Sequence, residues 1–119
     1  MKRKSEHYVE DVLTSIVKIK SFVKGISIEE FLLDEKTQYA VVRAFEIIGE
    51  ATKKISDDVK IKHPEIPWRD ITGMRDILAH EYIDVDLRTI WETIQNDLPY
   101  IEKIFNELLK ETNKSDTIF

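Results

Sequence analysis

From Tyr8 to Val23 the apolar positions run Val9, Val12, Leu13, Ile16, Val17, Ile19, Phe22 and Val23, the 3.6-residue stripe of an amphipathic helix. Comparable stripes recur as far as Leu108, and only three glycines and three prolines punctuate the 119 residues. No segment alternates with the period of two that a strand requires. The pattern restricts the chain to an all-α fold, a bundle of four main antiparallel helices with one or two short extra ones.

The punctuation predicts the helix ends. Gly25 suits the C-terminal cap of the first helix. Ser27 followed by Glu30 has the spacing of a capping box that opens a short helix or the next long one. A second long helix is expected from about Asp34 to Ile55, with the stripe Val41, Val42, Phe45, Ile48, Thr52 and Ile55 and with Gly49 admitting a close neighbour. Ser56 to Lys62 adds a turn or two before His63-Pro64-Glu65-Ile66-Pro67 breaks the pattern. Pro67 fits the first position of a third helix, where its missing N–H costs nothing. That helix has Ile71, Met74 and Leu78 as its buried line and ends near Tyr82, because Asp84 has the character of the next N-cap. Leu87, Ile90, Trp91, Ile94, Leu98, Ile101, Phe105 and Leu108 carry the last helix, which Pro99 should kink or break. The tail over 112–119 is expected to fray, leaving one domain over 1–111.

Composition excludes several classes. With no cysteine, there are no disulfides, zinc–thiolate sites or thiol nucleophiles, which fits a reducing cytoplasm. Hydrophobic residues at 42% and charged residues at 34% describe an ordinary soluble globular chain. The charged N-terminus, Met1 to His7, has no apolar run behind it and so reads as no signal peptide. No segment reaches the roughly 20 apolar residues that span a bilayer, so no membrane partner is expected. A net charge of −5 argues against a general nucleic-acid coat, and no DNA partner is expected. An RNA enzyme with a local basic groove stays open. Lys18, Lys20 and Lys24, and Lys53, Lys54, Lys60 and Lys62, read as solvated helix faces or as parts of such a groove.

Chemistry concentrates in Gly73-Met74-Arg75-Asp76-Ile77-Leu78-Ala79-His80-Glu81-Tyr82, where Arg75, His80 and Tyr82 form R-x-x-x-x-H-x-Y. Phosphate chemistry without a metal needs a group that moves protons near neutrality and a fixed cation for developing negative charge, and His80 and Arg75 are of those types. Five residues turn an α-helix through about 500°, leaving the two side chains about 140° apart. They flank one ligand only across a broad cleft, on a distorted helix, or with a second copy supplying half the site. Asp76 and His80, four apart, share a face, so Asp76 could orient the imidazole. Each residue also has a plain reading: a solvated Arg, a half-buried His, a surface Asp, a core Tyr. His63 and His7 read as ordinary loop and terminal histidines, and no metal-ligand spacing is visible. Trp68 and Trp91 fit the core better than base stacking, and Arg43, Glu46 and Glu50 have the spacing of an ion pair within one helix.

The motif resembles the signature of the HEPN superfamily, and specifically of HepT-like toxins. The likeness continues in Val42-Arg43-Ala44-Phe45-Glu46-Ile47-Ile48-Gly49-Glu50-Ala51, in Ile66-Pro67-Trp68-Arg69-Asp70-Ile71 and in Val85-Asp86-Leu87-Arg88-Thr89-Ile90-Trp91, and so covers most of the chain. The three signature positions match, while Asp76 stands where many superfamily members carry asparagine. The resemblance implies a HEPN-like bundle and a cytoplasmic, metal-independent endoribonuclease, the toxin of a type VII-like toxin–antitoxin pair. It implies no cofactor, a homodimer with a composite cleft, and messenger or transfer RNA as substrate. Arg75 and His80 would be catalytic, with Asp76 in support. Tyr82 would take AMP units from a nucleotidyltransferase antitoxin, which requires its hydroxyl to reach solvent. A non-catalytic nucleotide- or RNA-binding module, or a structural partner of the nucleotidyltransferase, are the alternatives of the same fold.

Overall fold

Side-chain caps, more than apolar stripes, set where the helices start. A computed structural model describes residues 4–80 and 86–116, and the side chains of 4–75 and 86–112. Among the described residues there are seven helices and no strand: α1 (Ser5–Phe22), α2 (Ile28–Leu33), α3 (Glu35–Lys54), α4 (Asp57–Lys62), α5 (Trp68–His80), α6 (Leu87–Asn96) and α7 (Leu98–Asp116). The all-α reading holds, and the expected fourth helix is present as two pieces, α6 and α7.

The capping box forms as spelled. The Glu30 N–H donates to Ser27 Oγ at 3.1 Å, and the Ser27 N–H donates to Glu30 Oε1 at 3.2 Å. At the next start, Asp34 accepts from the Thr37 N–H at 3.1 Å and from its hydroxyl at 2.6 Å. These bonds favour the charged carboxylate and hold the Asp34 carboxyl below its ordinary value, the hydroxyl having the larger effect. Ser56 caps α4 through the Val59 N–H at 3.4 Å. Gly25 follows the end of α1 with φ +77°, a left-handed conformation that side chains with a Cβ resist.

Three expected boundaries move. Asp84 lies outside the described residues, and the N-cap of α6 is Asp86, whose carboxylate accepts from the N–H groups of Arg88 and Thr89. The Thr89 hydroxyl adds a 2.8 Å bond, the largest cause of the lowered Asp86 pKa. Pro67 sits one residue ahead of the first helical position, and its carbonyl accepts from the Ile71 N–H at 3.1 Å. The last long run breaks at Asp97, which separates α6 from α7. Pro99 causes this: without an N–H it cannot continue the α6 ladder, but it is tolerated in the first turn of α7. The stretch expected to fray from Thr112 is helical as far as Asp116, and 117–119 lie outside the described residues.

The core collects Val9, Val12, Ile16 and Ile19 of α1, Phe31 of α2, Val41, Phe45 and Ile48 of α3, Ile71 of α5, Ile90 and Ile94 of α6, and Leu98, Ile101, Phe105 and Leu108 of α7. Val17 and Phe22, counted in the α1 stripe from sequence, face solvent instead at 56% and 39% exposure. The buried arc of α1 is therefore narrower than its apolar content. A helix of α2's length cannot stand alone in water. Phe31 anchors it, fully buried and tilted against Trp91 with ring centroids 5.4 Å apart. Full burial of such a side chain contributes about 1.5–3 kcal/mol.

Helix α3 is central, packing most extensively on α5 and α1. Trp68, at the start of α5, meets Phe105 of α7 edge-on at 6.0 Å and donates its indole N–H to the His63 carbonyl at 2.9 Å. Both tryptophans are thus packing residues, as their stripe positions suggest. No described helix is long and apolar enough to cross a membrane.

Candidate active site

The motif helix is held against α3 at one point of very close approach. Gly49 of α3 faces α5 so tightly that a Cβ on it would lie 2.6 Å from both the backbone N and the Cβ of Arg75, and 2.9 Å from the Thr72 carbonyl oxygen. Only hydrogen fits there. The expectation that Gly49 admits a neighbour holds, and the neighbour is Arg75 itself. Ile71, one turn earlier on α5, is buried at 1% exposure and fixes the rotation of the helix on the core.

Beyond that contact the Arg75 side chain runs out to partial exposure. Its Nε lies 3.7 Å from Glu50 Oε1, with the two side chains 40% and 42% exposed. The separation makes this an ion pair and not a hydrogen bond. No described residue other than Glu50 pairs with the Arg75 guanidinium. The ion pair expected within the helix of Arg43, Glu46 and Glu50 forms between Arg43 and Glu46, at 3.6 Å. The pairing of Glu50 with Arg75 is the contact at this site that the sequence pattern did not predict. The position of Glu50 beside a close-approach glycine was the available signal, but the identity of the facing residue was not.

The backbone of α5 continues through Asp76 to His80. Arg75 and His80 therefore occupy one unbroken helix, five residues and about 7.5 Å of rise apart. The regular helix keeps the angular divergence derived from the spacing. The side chains of Asp76 and His80, the rest of the motif with Tyr82, and the expected burial of Leu78 lie outside the described residues. Met74, expected in the buried line, is half-buried. It borders a small cavity of about 220 Å³ with Phe45, Asp70, Ile90, Thr93 and Asp97.

His63 takes a more defined place than an ordinary loop histidine. Its Nε2 lies 2.7 Å from Glu111 Oε2 and its Nδ1 3.4 Å from Glu65 Oε2. The imidazole ties the turn before α5 to the distal part of α7. With the Trp68 bond to the His63 carbonyl, this steadies the entry to the motif helix.

Comparison with known proteins places the chain closely. The family model described as "Ribonuclease HepT-like" matches residues 12–108. A protein of Thermococcus cleftensis named "Probable ribonuclease HepT" is 49% identical over 92% of this chain and 100% of its own length. Proteins named "Putative RNase" from Caldanaerobacter subterraneus subsp. tengcongensis and Methanocaldococcus jannaschii are 44% and 41% identical. They align over 87% and 97% of this chain, and over 93% and 95% of their own lengths, respectively. No solved structure matches.

Proposed function

Because the chain belongs to the HepT-like ribonuclease family, we propose that it is an endoribonuclease that cuts RNA with Arg75 and His80 and serves as the toxin of a toxin–antitoxin pair. The observation that carries this reading is the intact R-x-x-x-x-H-x-Y motif inside the matched span of 12–108. The part-exposed Arg75 guanidinium supports it, because a phosphate ligand needs a cation it can reach.

The reaction follows from the residue types. His80 takes the proton of an RNA 2′-hydroxyl, and that oxygen attacks the adjacent phosphorus. The bond from phosphorus to the 5′-oxygen breaks, and the departing oxygen receives a proton. The products are a 2′,3′-cyclic phosphate and a 5′-hydroxyl end. Arg75 holds the non-bridging oxygens as negative charge builds on them, the task for which a planar guanidinium is suited. Asp76, one turn before His80, orients the imidazole.

On one helix the two catalytic side chains diverge by about 140°. A homodimer resolves this, with Arg75 of one copy and His80 of the other converging on the same phosphate. Tyr82 is the point of control. A nucleotidyltransferase antitoxin adds AMP there, and the added phosphate repels an incoming RNA backbone two residues from His80. The protein works in the cytoplasm, where both RNA and antitoxin are present.

The test is cleavage of messenger and transfer RNA by the unmodified protein in EDTA, beside His80→Ala. One positioned acid–base group contributes about 10²–10⁴-fold, and His80→Ala is expected to lose that much, with cyclic phosphate ends on the wild-type products. Cleavage that survives in His80→Ala removes the histidine from the mechanism. RNA bound by the wild type but never cut supports a binding module instead.

A further inference from the structure

The Glu50–Arg75 pair is placed by the backbone, not by chance meeting of two long side chains. Its stems rise from a point of very close approach between α3 and α5, because Glu50 follows the glycine against which Arg75 is pressed. On its own helix Glu50 could pair with Lys54, four residues on, in the favourable i,i+4 orientation. It faces Arg75 across the helix boundary instead. Arg43 is engaged by Glu46 and does not compete.

The edge of contact matters. A guanidinium offers five N–H donors in a plane, and its Nη edge matches a pair of phosphate oxygens. The carboxylate of Glu50 lies off Nε, so the pair leaves the Nη edge without a partner among the described residues. At 3.7 Å the carboxylate tethers the arginine without capturing it.

We infer that Glu50 is a positioning residue for the RNA phosphate: it orients Arg75 from the Nε side so that the Nη edge is presented to the scissile group. The inference rests on the ribonuclease reading for its substrate and on the α3–α5 geometry for everything else. An exposed ion pair alone is worth a factor of about five at most. A displacement of about 1 Å in a reacting site costs up to about 10²-fold. Glu50→Ala should fall between the two, losing about 10-fold in kcat/KM.

The experiment combines an activity cycle with a direct view of Arg75. RNA cleavage is measured for the wild type, Glu50→Ala, Glu50→Gln, Arg75→Ala and the Arg75→Ala/Glu50→Ala double variant. Nitrogen-15 NMR follows exchange of the Arg75 Nε–H with water in the same proteins. Positioning predicts that Glu50→Gln recovers part of the loss, since its carbonyl dipole still faces the Nε side of the guanidinium. It also predicts that the double variant is no worse than Arg75→Ala and that the Nε–H exchanges faster in Glu50→Ala while the melting temperature holds. Activity of Glu50→Ala within twofold of wild type overturns the inference, as does a gain, which would make Glu50 a competitor of RNA. A further loss on top of Arg75→Ala overturns it too. If the wild type cuts no RNA, the ribonuclease reading fails alone, and the Nε–H exchange then decides the positioning: unchanged exchange in Glu50→Ala ends it.

Discussion

Replacing Gly49 by alanine should separate the two helices that build the site. The added methyl would stand 2.6 Å from the Arg75 backbone N and Cβ. Ordinary carbon contacts lie at about 3.5–4.0 Å, so the helices must part by about 1 Å. The backbone nitrogen cannot rotate aside as a side-chain tip could. Overpacking of this kind costs about 1–3 kcal/mol. Against it stands the gain of about 0.5–1 kcal/mol when alanine replaces glycine inside a helix. Taking the middle of each range, the net loss is about 1 kcal/mol, or a fall of roughly 3–6 °C in Tm for a chain of this size. Gly73, on the facing helix, is the control: a Cβ there meets nothing within 4 Å. Gly73→Ala keeps only the propensity gain and should raise Tm by a few degrees. Thermal unfolding followed by circular dichroism, checked by urea midpoints at constant slope, reads both changes. A Gly49→Ala protein as stable as wild type, or shifts of the same sign at the two glycines, would refute the close-approach argument.

Two further perturbations test the frame around the site. Asp34 and Asp86 have carboxyls lowered by hydrogen bonds from Thr37 and Thr89, against an ordinary value of 3.8. Their folded values lie below the unfolded ones, so the stability they contribute is present above 3.8 and is lost as pH falls through it towards the folded values. Unfolding midpoints between about pH 5 and pH 2 should therefore decline less steeply in the Asp34→Asn/Asp86→Asn double variant, and an equal slope would remove the caps from the account. Trp68→Phe keeps a ring against Phe105 but deletes the 2.9 Å bond to the His63 carbonyl. The expected cost is about 0.5–1.5 kcal/mol, read as a lower Tm, and an unchanged Tm would show that the bond adds nothing net.

Helix class and most helix starts were legible because they depend on neighbours in sequence. The Ser27–Glu30 box, the start of α3 at Asp34 and the break at His63–Pro67 lie where local spacing puts them. So does the role of Gly49 as a place of close approach, since a lone glycine in a strong helical stripe has few other uses. The Asp84 expectation failed on a local ambiguity: Asp84 and Asp86 both precede an apolar run, and Thr89 three residues beyond Asp86 completes the cap that forms.

What only the tertiary structure decided is who meets whom. Periodicity states that a helix has a buried face, but not which helix covers it. It therefore could not say that Arg75 is what presses on Gly49. Nor could it send Glu50 across to that arginine while Arg43 keeps Glu46, because spacing along one helix reports only the charges of that helix and not those of the helix packed against it. The pairing of His63 with Glu111 is hidden for the same reason: forty-seven residues of intervening chain leave no sequence trace of the contact. Local rules act over one or two helical turns, and the pairing of charges across helices is settled by packing that the whole core imposes at once.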